Sequence, residues 1–112
     1  MIAPPPVERE EIRVADYLWS ERDQVMQAAA LTARVVRALG ARTLVVLSFR
    51  DVRAVDSRFL EAFFGGLHVR YNAAWLGPRL LFREAGGDLG DRIEAARNAV
   101  TLRSSAGYRP AI

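Results

Sequence analysis

The spacing of hydrophobic residues changes several times along the chain, and each change marks a boundary between predicted elements. Residues 12–19 alternate loosely between apolar and polar and predict a first strand. Residues 43–49 form a continuous apolar run rich in β-branched side chains, which predicts a central strand covered on both faces, or one deep in the sheet. Residues 79–83 predict a third strand, and residues 100–103 predict a short closing strand.

Between these strands, apolar residues recur every three or four positions, which is the spacing of one helix face. Helices are predicted over 21–39, from Asp56 or Ser57 onward, and from Asp88 to about residue 99. Their inward stripes are predicted to be Val25, Ala29, Thr32, Val36 and Leu39, with Ala28 and Val35 beside them, then Leu60, Phe63, Phe64, Leu67 and Tyr71, then Leu89, Ile93, Ala96 and Val100. Two adjacent glycines, Gly65 and Gly66, weaken a helix. They indicate close packing of the second helix on a strand.

The alternation of strands and helices predicts a small single-domain α/β fold, with a mixed β-sheet packed with about three helices. The domain is expected to span residues 12–103. Three consecutive prolines at 4–6 cannot join a helix or a central strand, so residues 1–11 are predicted to form a disordered, proline-rich leader. Residues 104–112 are predicted to form a loose C-terminal tail.

The composition argues against most catalytic and metal chemistry. The 112 residues include no cysteine, which excludes disulfides and thiolate metal sites. The only histidine, His68, falls in the second predicted helix beside its aromatic stripe, where a structural role is expected. No carboxylate pair stands out, and the glycine-rich segment 86–90 lacks the pattern and the lysine of a P-loop. We therefore expect no enzymatic activity, no metal and no cofactor.

All 16 basic residues are arginines, interspersed with 13 acidic residues to give a net charge of +3. Nucleic-acid binding usually requires a concentrated basic stripe, so it is not favoured.

The apolar runs are far shorter than the roughly 20 residues that span a bilayer, and no signal peptide is visible. The sequence predicts a cytoplasmic protein without membrane contact, with the arginine usage of a GC-rich bacterium. Trp19 and Trp75 are expected to pack in or against the core.

One segment carries a resemblance to a known family. Residues 44–64 read LVVLSFRDVRAVDSRFLEAFF, an apolar strand, a short polar turn, a valine and a serine-containing helix start. This segment resembles the heart of the STAS superfamily, and most of all its STAS-like branch, which carries an aromatic residue soon after the helix start. Residues 20–25, which read SERDQV, are similar to the start of the first helix in that branch. The resemblance extends over residues 12–99.

The resemblance implies a non-enzymatic regulatory domain that works by protein–protein contact in signal transduction and transcription regulation, like anti-sigma factor antagonists. It implies a protein partner, either a histidine-kinase-type ATPase or an anti-sigma-like protein. The partner-binding surface would be the loop 50–55 and the start of the following helix. The residues expected to carry it are Arg50, Asp51, Arg53, Asp56, Ser57 and Arg58.

The sequence departs from the family pattern at the helix start. Phosphorylated members open this helix with an aspartate, two hydroxyl residues and a glycine, and the second hydroxyl accepts the phosphate. Here Asp56 and Ser57 match the first two positions, whereas Arg58 and Phe59 replace the acceptor and the glycine. Ser57 is a candidate phosphosite, but capping of the helix by Asp56 and Ser57 is the simpler interpretation. Arg58 brings a cation to the positive end of the helix dipole, which neither reading explains.

Two alternatives stay open. The same three arginines, Arg50, Arg53 and Arg58, suit a nucleic-acid- or nucleotide-binding domain. A homodimer formed through Trp75 or the edge strand 12–19 is also compatible with the sequence.

Overall fold

The computed structural model describes residues 8–20, 22–52 and 54–107, the last five of these by their backbone alone. The elements are β1 Arg9–Arg13, a 3₁₀ helix Val14–Tyr17, α1 Gln24–Gly40, β2 Leu44–Ser48, α2 Ser57–His68, α3 Ala73–Leu76, a 3₁₀ helix Gly77–Arg79, β3 Leu80–Arg83 and α4 Gly87–Gly107. This succession confirms the small α/β fold.

The three strands form one parallel sheet in the order β1-β2-β3, with β2 in the centre. Each strand is followed by a helix before the next strand begins, and such a crossover returns the chain in the parallel direction. A mixed sheet was expected, but all strands in the described part of the chain are parallel. The predicted closing strand at 100–103 is wrong, because these residues lie inside α4.

One face of the sheet carries the hydrophobic core. Ile12, Val45, Leu47 and Leu80 point to this face and belong to a single buried cluster. Residues of α1, α2 and α4 complete the same cluster: Leu31, Val35, Phe59, Phe63, Phe64, Leu67, Ile93, Ala96 and Val100. All three long helices therefore cover the same face of the sheet.

The opposite face of the sheet is not covered by any helix in the described residues. Glu11, Val46 and Leu81 lie side by side on it, and Leu81 is 38% exposed. Val46 is buried but does not belong to the core cluster. Its strand, β2, lies between the strands that carry Glu11 and Arg83, and the side chains of these two residues form an ion pair of 2.8 Å. The sequence allowed a strand covered on both faces or one deep in the sheet, and β2 is the second: it is central and buried, but no described helix covers its outer face. Consecutive right-handed crossovers place their helices on one side.

The first strand and first helix also differ from expectation. β1 begins at Arg9, within the predicted leader, and the chain turns into a 3₁₀ helix at Val14 instead of continuing as a strand to residue 19. Residues 1–7 lie outside the described residues, as do residues 108–112 of the predicted tail, whereas residues 104–107 are helical. The buried side of α1 consists of Gln27, Ala28, Leu31, Val35, Ala38 and Leu39. Val25, predicted to point inward, is 66% exposed.

The glycine pair in α2 contacts a helix, not a strand. A Cβ on Gly66 would lie 2.9 Å from the methyl carbon of Thr32 in α1, whereas a Cβ on Gly65 would meet nothing within 4 Å. The Thr32 hydroxyl donates to the Ala28 carbonyl at 2.7 Å, which holds the side chain in place. Gly66 therefore sets the closest approach of α1 and α2.

This contact predicts opposite behaviour for the two glycines. Gly65→Ala should raise the free energy of unfolding by about 0.5–1 kcal/mol, because alanine is the better helix former and the space is open. Gly66→Ala should be at least about 1 kcal/mol less stable than Gly65→Ala, because overpacking opposes the same gain. Urea denaturation measures both. Adding Thr32→Ser, which removes the methyl, should restore Gly66→Ala, and equal stabilities of the two alanine variants would contradict the close contact.

The one-sided core predicts an asymmetry between neighbouring leucines of β3. Leu80→Ala should lower the free energy of unfolding by about 2–4 kcal/mol, because Leu80 is 3% exposed inside the core. Leu81→Ala should cost less than about 1 kcal/mol, because its side chain lies on the open face. Urea denaturation of the two variants checks this, and similar losses would mean that the outer face is covered as well.

Candidate functional site

The carboxyl ends of the three strands meet at one edge of the sheet. Arg13, Ser48 and Arg83 end their strands in register and stand side by side there. In parallel α/β sheets this edge is where ligands and partners bind, because the loops that follow the strands are free to vary. The loop after β2 and the start of α2, which the sequence singles out, lie at this edge.

The turn after β2 is held by several hydrogen bonds. The Phe49 N–H donates to the Arg83 carbonyl at 2.9 Å, and the Val52 N–H donates to the Phe49 carbonyl at 3.0 Å. Asp51 has a φ of 66°, a left-handed conformation that aspartate tolerates better than most residues. Its carboxylate accepts a hydrogen bond from the Arg13 guanidinium at 3.1 Å. The turn thus presents Arg50, which is exposed, from a fixed backbone.

Asp56 caps α2 without help from its neighbour. Its Oδ1 accepts the Arg58 backbone N–H at 2.8 Å, while its backbone is extended, as expected of an N-cap. Val55 before it and Leu60 after it are both buried in the core, as the predicted hydrophobic staple requires. Ser57 is the first helical residue and is exposed, and its hydroxyl makes no hydrogen bond within the described part of the chain.

Arg58 does not stand as a free cation at the helix start. Its guanidinium folds back on Asp56, with Nε 3.4 Å from Oδ1 and Nη2 3.3 Å from Oδ2. The side-chain hydrogen bond from Arg58, followed by the backbone one, holds the pKa of Asp56 below its ordinary value of 3.8. The hydrogen bond to Asp56 raises the pKa of Arg58 in turn. The pairing explains how a cation is accommodated at the positive end of the helix dipole.

Of the six predicted partner-binding residues, five lie at this edge, in the turn Arg50–Asp51 and the helix start Asp56–Arg58. Arg53 lies outside the described residues.

Trp19 joins this edge, contrary to the expectation that it packs against the core. Its side chain is 59% exposed. It lines a cleft of about 220 Å³ together with Leu18, Ser20, Gln24, Ala54, Val55 and Asp56, which we call the Trp19 cleft. The sequence feature associated with this placement of Trp19 is the pair Gln24 and Gln27 at the start of α1. Both side chains bond to Ser20, next to the tryptophan.

Trp75 behaves as predicted and is half-buried. Its ring stacks on Tyr71 with 4.5 Å between centroids, and the Arg79 guanidinium lies 4.3 Å from its centroid. Both faces of the indole are therefore occupied, which leaves no free face for the homodimer contact considered from the sequence. Trp19 is the tryptophan available to a partner.

Two other sequence features lie away from this arrangement or have a structural role. His68 is the last residue of α2, at the end opposite Asp56. A Cβ on Gly90 would lie 2.3 Å from the Ala85 carbonyl oxygen, so the tight turn into α4 requires this glycine.

Among the described residues, no group of histidine, aspartate and glutamate side chains is arranged to hold a metal ion. Nor does any described helix have the length and apolar character needed to cross a membrane.

No family model matches the chain, and neither the curated proteins nor the solved structures include a match to it. The STAS-like resemblance therefore stays a prediction that stands on residues 44–64.

The geometry at Asp56 predicts a specific pH dependence of stability. Because the pKa of Asp56 is lowered by folding, its ionised form stabilises the folded state above the ordinary pKa of 3.8. That stabilisation is lost as the pH falls through the lowered folded pKa. Asp56→Asn, which keeps a capping oxygen, should be less stable than the wild type at about pH 7 and approach it near about pH 3.

Urea denaturation at several pH values measures the difference. Arg58→Gln is the matched control, because it removes the guanidinium and keeps the backbone N–H that Asp56 accepts. Its stability should vary with pH less than that of the wild type and more than that of Asp56→Asn. A difference between wild type and Asp56→Asn that does not change with pH would contradict the role of the ionised carboxylate.

Proposed function

We propose that this chain is a non-enzymatic, cytoplasmic interaction module of a bacterial regulatory system, of the STAS-like kind. Its partner is a histidine-kinase-type ATPase or an anti-sigma-like protein. Its contact surface consists of Trp19, Arg50, Asp51, Asp56, Ser57 and Arg58. The observation that carries the proposal is the grouping of an exposed tryptophan with paired and unpaired arginines on a fixed turn and helix start at one sheet edge.

The chemical groups at this surface suit recognition better than catalysis. Arginine stays protonated in proteins and cannot act as a base at neutral pH. The carboxylates of Asp51 and Asp56 are each engaged by an arginine. Tryptophan and arginine are the residues most enriched at the energetically important positions of protein interfaces. The surface therefore offers stacking and hydrogen bonding to a partner.

The ion pairs of the contact surface are available for exchange. The Arg13–Asp51 and Arg58–Asp56 pairs lie largely in solvent, with more than half of the Arg13, Asp51 and Arg58 side chains exposed. Exposed pairs contribute little to stability. They do set the charge pattern that a partner meets, which governs orientation and specificity. We expect the partner to present carboxylates to Arg50 and Arg58.

Ser57 has a secondary place in this proposal. A phosphate on Ser57 would place a dianion beside the Asp56 carboxylate. That carboxylate already accepts hydrogen bonds from the backbone N–H and from the guanidinium of Arg58. The arrangement favours binding that does not depend on phosphorylation of this serine.

The test is binding to a purified histidine-kinase-type ATPase domain encoded beside this gene, measured by biolayer interferometry. Arg50→Glu combined with Arg58→Glu should weaken binding about tenfold or more, because both side chains would then repel acidic groups of the partner. The matched control combines Arg37→Glu with Arg70→Glu. These residues are exposed in the last turn of α1 and after α2, and the change in net charge is the same. The control pair should bind like the wild type.

Ser57→Ala extends the same experiment. It should bind within about twofold of the wild type, because Asp56 alone caps the helix. Equal weakening by the two arginine pairs, or loss of binding in Ser57→Ala, would contradict the contact surface as drawn. Binding of the wild type to an oligonucleotide with a steep salt dependence, and not to the ATPase domain, would favour the nucleic-acid alternative based on Arg50, Arg53 and Arg58.

A further inference from the structure

Among the described residues, the wall of the Trp19 cleft offers an aromatic ring, the polar side chains of Ser20 and Gln24 and the carboxylate of Asp56, and none of these side chains is basic. Gln24 Oε1 is buried and has no hydrogen-bond partner in the described part of the chain. Unpaired buried acceptors are uncommon in folded proteins and call for a specific explanation. Gln24 lines the cleft, but this oxygen is shielded from solvent, so the groups that a ligand can reach there are the Trp19 ring and the Asp56 carboxylate.

Asp56 supplies an accessible acceptor in the cleft. A carboxylate has about four lone-pair positions. Oδ1 receives two hydrogen bonds from Arg58, one from the backbone and one from Nε, whereas Oδ2 receives only Nη2. One position on Oδ2 thus remains open, and the Asp56 side chain is 38% exposed. The cleft therefore offers a charged acceptor close to an exposed indole.

The indole is presented by a rigid segment. Gln27 is fully buried and binds Ser20 at both backbone groups: its Oε1 accepts the Ser20 N–H at 3.2 Å, and its Nε2 donates to the Ser20 carbonyl. Gln24 Nε2 donates to the same carbonyl at 3.2 Å. The residue next to Trp19 is therefore fixed to α1. A preorganised aromatic side chain loses little conformational entropy when it binds a partner.

We propose that the Trp19 cleft receives an arginine side chain of the protein partner, with its guanidinium stacked on Trp19 and hydrogen-bonded to Asp56 Oδ2. This inference rests on the proposed function, because it names the partner group that meets the same contact surface. Arginine fits better than lysine because its planar guanidinium stacks on an indole and directs several N–H donors in one plane. An acidic or phosphate group fits less well, because the only charged side chain among the described residues of the wall is the Asp56 carboxylate.

Arg58 competes with the incoming arginine for the Asp56 carboxylate. Arg58 and the incoming arginine both bind Asp56, so full engagement requires a change of partners. In the complex, Arg58 turns to a carboxylate of the partner, and the partner's arginine takes its place on Asp56. The two pairs formed replace one internal pair, and no charge is left unpaired.

The experiment uses the full chain and a small probe, N-acetyl-arginine amide, observed through the indole N–H resonance of Trp19 in ¹H–¹⁵N spectra. The Trp75 indole serves as an internal reference, since both of its faces are occupied. We expect a saturable shift of Trp19 alone, with a dissociation constant of about 1–10 mM, the range of a single stacked ion pair. The neutral isostere N-acetyl-citrulline amide should produce no saturable shift.

Substitutions separate this site from general attraction of a cation. Asp56→Asn should abolish saturation while the Trp19 resonance is retained. Arg58→Gln should tighten probe binding about threefold or more, because it frees the carboxylate. Arg42→Gln, at the opposite edge of the sheet, should leave probe binding unchanged. Saturation of Trp19 by citrulline, unchanged binding in Asp56→Asn, or no shift up to about 50 mM probe would each overturn the proposal.

The outcome is distinguishable from failure of the proposed function. The two experiments test Arg58 in opposite directions: Arg58→Gln should strengthen binding of the probe, whereas Arg50→Glu combined with Arg58→Glu should weaken binding of the ATPase domain. Probe binding without ATPase binding would support the arginine-accepting cleft and remove the proposed partner.

Discussion

The one-sided packing of a parallel sheet is the constraint on which the rest of the structure depends. Three strands in sequential order, joined by two right-handed crossovers, place α1 and α2 on the same face, and α4, which follows β3, packs there as well. The core is therefore a single layer between sheet and helices. The same topology gathers every strand-to-helix loop at the carboxyl edge. The contact surface and the Trp19 cleft lie where they do because the chain crosses over in one direction only.

Two local contacts fix the positions of the elements at this edge. Gly66 lets α2 approach Thr32 of α1, and this contact sets the distance between the two helices. Gln27 is buried at the start of α1 and fixes Ser20, so the tryptophan beside it cannot collapse into the core. Burying an amide is tolerated only because both of its polar ends are satisfied. These buried hydrogen bonds hold an exposed indole in place, which is unusual for a residue with only a packing role.

The parts of the fold that the sequence predicts well are those where local and tertiary signals agree. The apolar run of β2 and the cap at Asp56, with Val55 and Leu60 in the core, identify the central strand and the start of α2 closely. The inward face of α1 was predicted only in part: Leu39, Ala28 and Val35 are buried, whereas Val25 is exposed. Alanine and valine surround this helix, so its periodicity does not distinguish the sheet-facing side from the side along α2. β1 was misplaced because its exposed face carries Arg9, Glu11 and Arg13, which removes the expected apolar run. The exposure of Trp19 depends on hydrogen bonds from Gln24 and Gln27 back to Ser20, and the presence of two glutamines in the sequence does not by itself specify these bonds.

The pairing of Arg58 with Asp56 changes the meaning of the departure from the family pattern. From the sequence alone, Arg58 is a fixed positive charge at the position where phosphorylated members of the superfamily that this segment resembles carry the phosphate acceptor. In the structure its charge is matched by the capping carboxylate. This helix start therefore carries an internal ion pair. Exchange of that pair for partner charges would give this surface a means of recognition that requires no modification. Both members of the pair are needed for this exchange, which gives a reason for an arginine at a position where the helix dipole alone disfavours one.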